Sequence, residues 1–182
     1  MKKGLKIIGI SILLILLLRG WLYRGTVVYH SIGNRDYITI DNQELLKKIN
    51  EEAKNFQHIE LQQIIHIANS ICLEQLSFSS QTTSQNPNKT YTSGQANCIG
   101  YSALFNSIAN HLILQYQLKH KYHAQHHIGE LHFLGIDIHQ FFDHPFFHDH
   151  DFNTITDLKE KKIIATDPSL NDYFGIKRVS FK

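Results

Sequence analysis

The chain carries only two cysteines, Cys72 and Cys98, too few for a disulfide framework. It also lacks an excess of charge: 18 lysines and arginines against 16 acidic residues leave a formal net charge of +2. The cations are scattered and form no basic stripe interleaved with aromatics, so nothing points to a nucleic-acid partner. There is no internal repeat. No His-Glu-x-x-His motif is present, and His127-Ile128-Gly129-Glu130-Leu131-His132 does not have the inverse spacing either. These absences set aside repeat arrays, disulfide scaffolds and the common zinc hydrolases. What remains is one domain with an appendage, since a core of about 150 residues buries roughly 70% of its unfolded surface and folds alone.

The appendage is amino-terminal. Lysines at positions 2, 3 and 6 precede the apolar run Ile7 to Leu18, and Trp21, Leu22 and Tyr23 prolong it past Arg19. From Leu5 to Tyr23 the segment is long enough to span if Arg19 snorkels. No small-x-small cleavage site follows, which favours a retained signal anchor over residues 1–24 above a cleaved signal. The leading lysines keep that end in the cytoplasm and place the domain outside it, periplasmic or extracellular. The Met-Lys-Lys leader is of a bacterial kind. Residues 25–40 read as a linker with strand-like pieces, and residues 41–182 as the domain.

Within the domain, Asp41-Asn42-Gln43-Glu44 has the residue types of a capping box and starts a helix through Ile49 and Ala53. A second helix is expected over 60–76, with Cys72 on its buried face behaving as a small hydrophobe. A Cys72–Cys98 disulfide is the alternative. Ser77 to Asn97 reads as a long polar loop, of the kind that is functional or mobile. Later segments, 122–127, 130–138, 145–156 and 162–166, are aromatic and β-branched and read as antiparallel strands. Helices first and strands after predict an α+β domain, with helices packed on an antiparallel sheet.

The loop ends at Gly94-Gln95-Ala96-Asn97-Cys98-Ile99-Gly100-Tyr101-Ser102. Asn97 suits an N-cap, and the periodic run Ile99, Ala103, Leu104, Ile108, Leu112 suits an amphipathic helix reaching about residue 118. Cys98 then lies in the first turn, where helix-end amides and the macrodipole favour the nucleophilic thiolate. The reading that competes with this is an inert, buried helix cysteine.

The run from Cys98 to Phe105 resembles the nucleophile helix of the transglutaminase-like superfamily: a cysteine, a small residue, an aromatic, a small residue, then apolar positions. His150-Asp151-Phe152 resembles its histidine followed two residues later by an aromatic, with phenylalanine here in place of the usual tryptophan. Ala165-Thr166-Asp167-Pro168-Ser169 resembles its aspartate-proline-threonine motif. The matched region runs from about Asn42 to about Pro168. The resemblance implies a transglutaminase-like or papain-like cysteine hydrolase core with Cys98 as nucleophile, His150 as base then acid, and Asp167 as orienter.

The last hairpin bears on the pair. If it centres between Leu158 and Lys159, His150 and Asp167 are directly opposed, with Cβ atoms about 5 Å apart. His148 shares the face of His150 and becomes the base if the turn lies one position earlier. The oxyanion donors expected are the Cys98 amide and, among side chains, Gln95.

The expected activity is cysteine-dependent amide hydrolysis or acyl transfer through a thioester, on peptide or protein amides, with no cofactor and no metal. Two alternatives stand beside it. One is a non-catalytic binding or assembly module that keeps the fold. The other is a His-rich metal-binding domain, since 13 histidines include His123, His126 and His127 and the patch His144, His148, Asp149, His150, Asp151.

Overall fold

The computed structural model describes residues 2–81, 84–144 and 147–182. Pro145 and Phe146, expected to open a strand, lie outside the described residues, as do two residues of the Ser77 to Asn97 loop and Met1.

The chain opens with helix α1 (Lys2–Thr26). Its stretch Gly9–Thr26 is long and apolar enough to cross a membrane and is unburied by the rest of the protein. Leucines and isoleucines from Ile10 to Leu18 are exposed all round, a distribution that suits lipid rather than water. The last two turns of α1 are joined to the domain. The Arg19 side chain donates to Phe174 O, Leu134 N donates to Thr26 O at 2.8 Å, and Ser180 Oγ donates to Arg24 O at 2.8 Å.

Strand β1 (Val27–Arg35) follows without a break. This corrects the expected linker over 25–40: β1 lies inside the sheet, and Tyr29 at its centre is fully buried. Helices α2 (Gln43–Ala53) and α3 (Leu61–Gln75) come next. The cap of α2 is Asn42, one residue after the expected Asp41, with its side chain accepting from Leu45 N.

The polar loop also has more order than expected. It holds β2 (Ser77–Phe78), the short helix α4 (Pro87–Ser93) and β3 (Gln95–Ala96), which pairs in parallel with β2. Asn86 caps α4 and Pro87 opens it, while Gly94 ends it at φ +67, where a side chain would be strained. Helix α5 (Cys98–Gln115) follows. Then come β4 (Tyr122–Phe133), β5 (Ile136–Asp137), a 3-10 turn at His139–Phe141, β6 (His150–Asp157), β7 (Lys162–Thr166), α6 (Pro168–Phe174) and β8 (Ser180–Phe181).

The main sheet runs β7-β6-β4-β1-β8, with β5 on the end of β4. It is mixed rather than purely antiparallel, because β8 pairs with β1 in parallel. An antiparallel bridge between Ala165 and Val179 brings the segment before β8 against β7, so the sheet curls and its two ends meet.

Each face of the sheet buries a core. On one face α2, α3 and α5 pack around Leu45, Ile64, Ile71, Leu104, Ile108 and Ile155. Burial of each such side chain contributes about 1.5–3 kcal/mol. Helix α5 is apolar on nearly every side because it is sandwiched between helices and sheet. On the other face Tyr29, Phe152, Ala165 and Val179 form a smaller core, joined by Tyr23 of α1 and Leu170 of α6.

Candidate active site

Three elements end where the site begins. Asn97 Oδ1 accepts from Ile99 N at 3.1 Å and Gly100 N at 3.3 Å, so the cap forms as its residue type dictates. Cys98 is the first residue of α5 and is 7% exposed. With those two amides taken by the cap, the Cys98 amide is the nearest first-turn donor for an oxyanion. Gln95 is exposed on β3, three residues ahead, where its backbone pairs with Ser77.

His150 is the first residue of β6, and its Nε2 lies 2.6 Å from Asp167 Oδ2. The charge of Cys98, like that of Asp167, acts on the same ring. Because Nε2 is held by the carboxylate, Nδ1 is the nitrogen left for sulfur. Burial lowers the pKa of His150, but the charges of Asp167 and Cys98 outweigh it and hold the imidazole well above the ordinary histidine value.

Asp167 is 1% exposed and caps α6. Its Oδ1 accepts from Ser169 Oγ at 2.7 Å and Leu170 N at 3.0 Å. Its Oδ2 also accepts from Tyr29 OH at 2.9 Å, and Tyr29 OH is 2.8 Å from Tyr23 OH. Burial raises the carboxyl pKa, whereas the His150 charge and these donors bring it below the usual carboxylate value. The buried carboxylate therefore stays ionised and holds the ring in one orientation.

The hairpin register differs from the expected one. Asn153 opposes Thr166 and Asp157 opposes Lys162, so the turn centres between Lys159 and Glu160. Asp157 Oδ1 accepts from Lys159 N and Glu160 N, both at 3.0 Å, and Lys161 adopts φ +51, which makes a four-residue loop. His150 and Asp167 are thus not ladder partners. They meet because β7 ends at Thr166 and Asp167 turns out of the ladder to cap α6. His148 lies before the strand, in an exposed bend.

Phe152 is fully buried, edge-on to Tyr29 at 5.1 Å and stacked on His127 at 4.9 Å. Gly129, the cross-strand partner of His150, is where Phe152 crosses the sheet: a Cβ there would lie 2.5 Å from the Phe152 ring and 3.0 Å from His30 O. Only glycine permits that approach.

A second histidine–aspartate pair, this one buried, follows from the next residue of β6. His126 Nε2 lies 2.7 Å from Asp151 Oδ2, and Arg35 holds the same carboxylate in two contacts, at 2.6 and 3.2 Å. Burial raises the Asp151 pKa, but His126 and Arg35 lower it below the ordinary value. The charges of Asp149 and Cys98 act on Arg35 as well, which places this guanidinium within electrostatic reach of the nucleophile position. Ser102 Oγ donates to Asp151 O at 3.0 Å, tying α5 to β6 one turn beyond Cys98.

Cys72 is free, as is Cys98, which overturns the disulfide alternative. It is fully buried with its thiol against Tyr101 O, and burial pushes its pKa far up. Among the described residues, the group able to hold a metal is Glu130, His132 and Asp137, whose ligand atoms lie within 4.8 Å of one another. It shares no residue with the histidine patches that the sequence singles out. Sequence reasoning missed Tyr29, Ser169 and the Arg35–Asp151–His126 set. Ser169 had a signal in the Asp-Pro-Ser cap, whereas the others meet only through strand pairing.

No family model matches this chain, and comparison with curated proteins and with solved structures finds no match.

Proposed function

We propose that this chain is a membrane-anchored cysteine hydrolase or acyl transferase of transglutaminase-like kind, its domain outside the cytoplasm. The observation that carries the reading is His150, bonded to buried Asp167 at 2.6 Å and under the charge of Cys98 at the first turn of α5. The Cys98 thiolate attacks an amide carbonyl carbon, and the Cys98 amide holds the oxyanion. The C–N bond breaks as His150 passes its proton to the leaving amine, which leaves a thioester. His150 then takes a proton from water or an amine as the oxygen or nitrogen bonds to the thioester carbon, and the C–S bond breaks, giving an acid or a new amide and returning the thiolate. Asp167 keeps its charge throughout.

Alkylation followed by peptide mapping tests the reading. Iodoacetamide at neutral pH should modify Cys98 well before Cys72, and His150→Ala should slow that reaction. Equal rates for the two thiols, or no effect of His150→Ala, would remove the nucleophile and leave the non-catalytic module.

A second reading, metal binding, is favoured by Glu130, His132 and Asp137. Calorimetry with zinc on wild type and His132→Ala decides it.

A further inference from the structure

A cavity of about 330 Å³ lies beside the His150–Asp167 pair, walled by Tyr23, Tyr29, Leu131, Leu170, Tyr173 and Phe174. That volume is at the low end of ligand pockets, about 300–1,000 Å³. The lining is almost entirely apolar, and the polar groups around Asp167 are engaged with one another. Tyr29 OH and Ser169 Oγ are bound to Asp167, and Tyr23 OH to Tyr29. A peptide buried here would leave its amides unsatisfied, at a cost of about 1–3 kcal/mol each. A hydrocarbon chain leaves nothing unsatisfied.

The cleft is also placed against the helix that is apolar enough to span a membrane. Tyr23 belongs to that stretch of α1. Phe174, on the cleft wall, accepts from Arg19 of α1, and the tip of the β4–β5 hairpin is held to Thr26 through Leu134 N. Around this exit point Tyr173, Phe174, Leu134, Ile136 and Trp21 are all more than half exposed. Exposed aromatics and aliphatics gathered at the end of a membrane helix suit the interfacial zone of a bilayer. Phe78 lies at the same cleft and pairs with Ala96, two residues before Cys98, so the wall runs towards the nucleophile.

We infer that the cleft takes an acyl chain and that the substrate of Cys98 is an amphiphile drawn from the bilayer, an N-acylated amine or peptide whose amide carbonyl follows the chain. The inference rests on the cysteine chemistry proposed above. The Cys98 Sγ–C bond forms, the C–N bond breaks, and His150 protonates the departing amine. Water then cleaves the thioester to release the fatty acid.

The test uses the full chain in lipid nanodiscs and two thiol probes, N-methyl and N-dodecyl chloroacetamide, with Cys98 modification followed by mass. Each methylene buried is worth about fourfold, so the dodecyl probe should react at least about tenfold faster. Tyr173→Asp and Phe174→Asp should cut that ratio, and because every variant shares the same bilayer, probe partitioning cancels. A ratio near one in the wild type overturns the inference. So does a high ratio that neither substitution lowers, which means bilayer concentration alone. If the N-methyl probe modifies Cys98 no faster than Cys72, the cysteine chemistry itself fails, and that outcome is distinct from the other two.

Discussion

Among the described residues two histidines each hold a buried aspartate, His150 with Asp167 and His126 with Asp151, with nearly equal contacts of 2.6 and 2.7 Å. Their surroundings separate them. Asp151 is shared between a histidine and a guanidinium, so its charge is spent on an internal ion-pair network. Asp167 is surrounded by hydroxyls and a backbone amide, and among the described residues its one cationic partner is His150, the ring on which the charge of Cys98 also acts. A carboxylate held by neutral donors can polarise one imidazole, whereas one bound to arginine serves mainly to neutralise it. Pair geometry therefore does not identify a base; the third partner does.

The comparison breaks most sharply on turnover. His150→Ala should lower it by roughly 100-fold or more, because the proton carrier is lost. Asp167→Asn should keep the fold, being nearly isosteric, and still cripple turnover, while His126→Ala should spare most of it. Steady-state rates on equal amounts of folded protein check this, and equal losses at His150 and His126 would erase the distinction.

Stability should show the reverse emphasis. Asp151→Ala removes the fully buried carboxylate that half-buried Arg35 and buried His126 share, and should cost about 3 kcal/mol. Urea unfolding measures it.

A third expectation concerns pH. His150 has its folded pKa raised, so its contribution is fully present below the ordinary histidine value and is lost as pH rises through the raised one. Asp167 has a lowered pKa, so its contribution is present above the ordinary carboxylate value and fades as pH falls through the lowered one. His127, by contrast, is pushed down to about 4 by burial and by His126 and His123, and is bonded to Ser31 and Thr154. It stays neutral where the unfolded chain protonates, so stability should fall by about 3 kcal/mol between pH 6.5 and about 4. Imidazole NMR titration should find the His150 midpoint well above the ordinary histidine value and the His127 midpoint near 4. Coincident midpoints would show that the two rings share one environment.

The smallest effect is expected at His148, exposed and ahead of β6. His148→Ala should leave turnover and melting temperature near wild type. A large loss there would mean that the ring facing Cys98 has been misassigned.

Local chemistry made part of this readable from the sequence. Asn97 before an apolar-periodic run is enough to start α5 at Cys98, because a cap needs only neighbours two and three residues away. The buried face that carries Cys72 likewise follows from helical spacing. Composition and order were enough for an α+β chain with an apolar leading helix.

Other features depended on where distant segments meet. One side chain, that of Asp157, captured two amides and moved the last turn by one position, which no count of strand residues reveals. Tyr29 reaches Asp167 across 138 residues, and Arg35 reaches Asp151 across 116, through strand neighbours that only the closed sheet brings together. The supposed linker became β1 because it had an edge of β4 to pair with, and that pairing drew the end of α1 to the cleft. Caps and periodicities are set by residues within one turn of each other, so the sequence alone determines them. Which carboxylate faces which ring is set by long-range packing, and only the tertiary structure decides it.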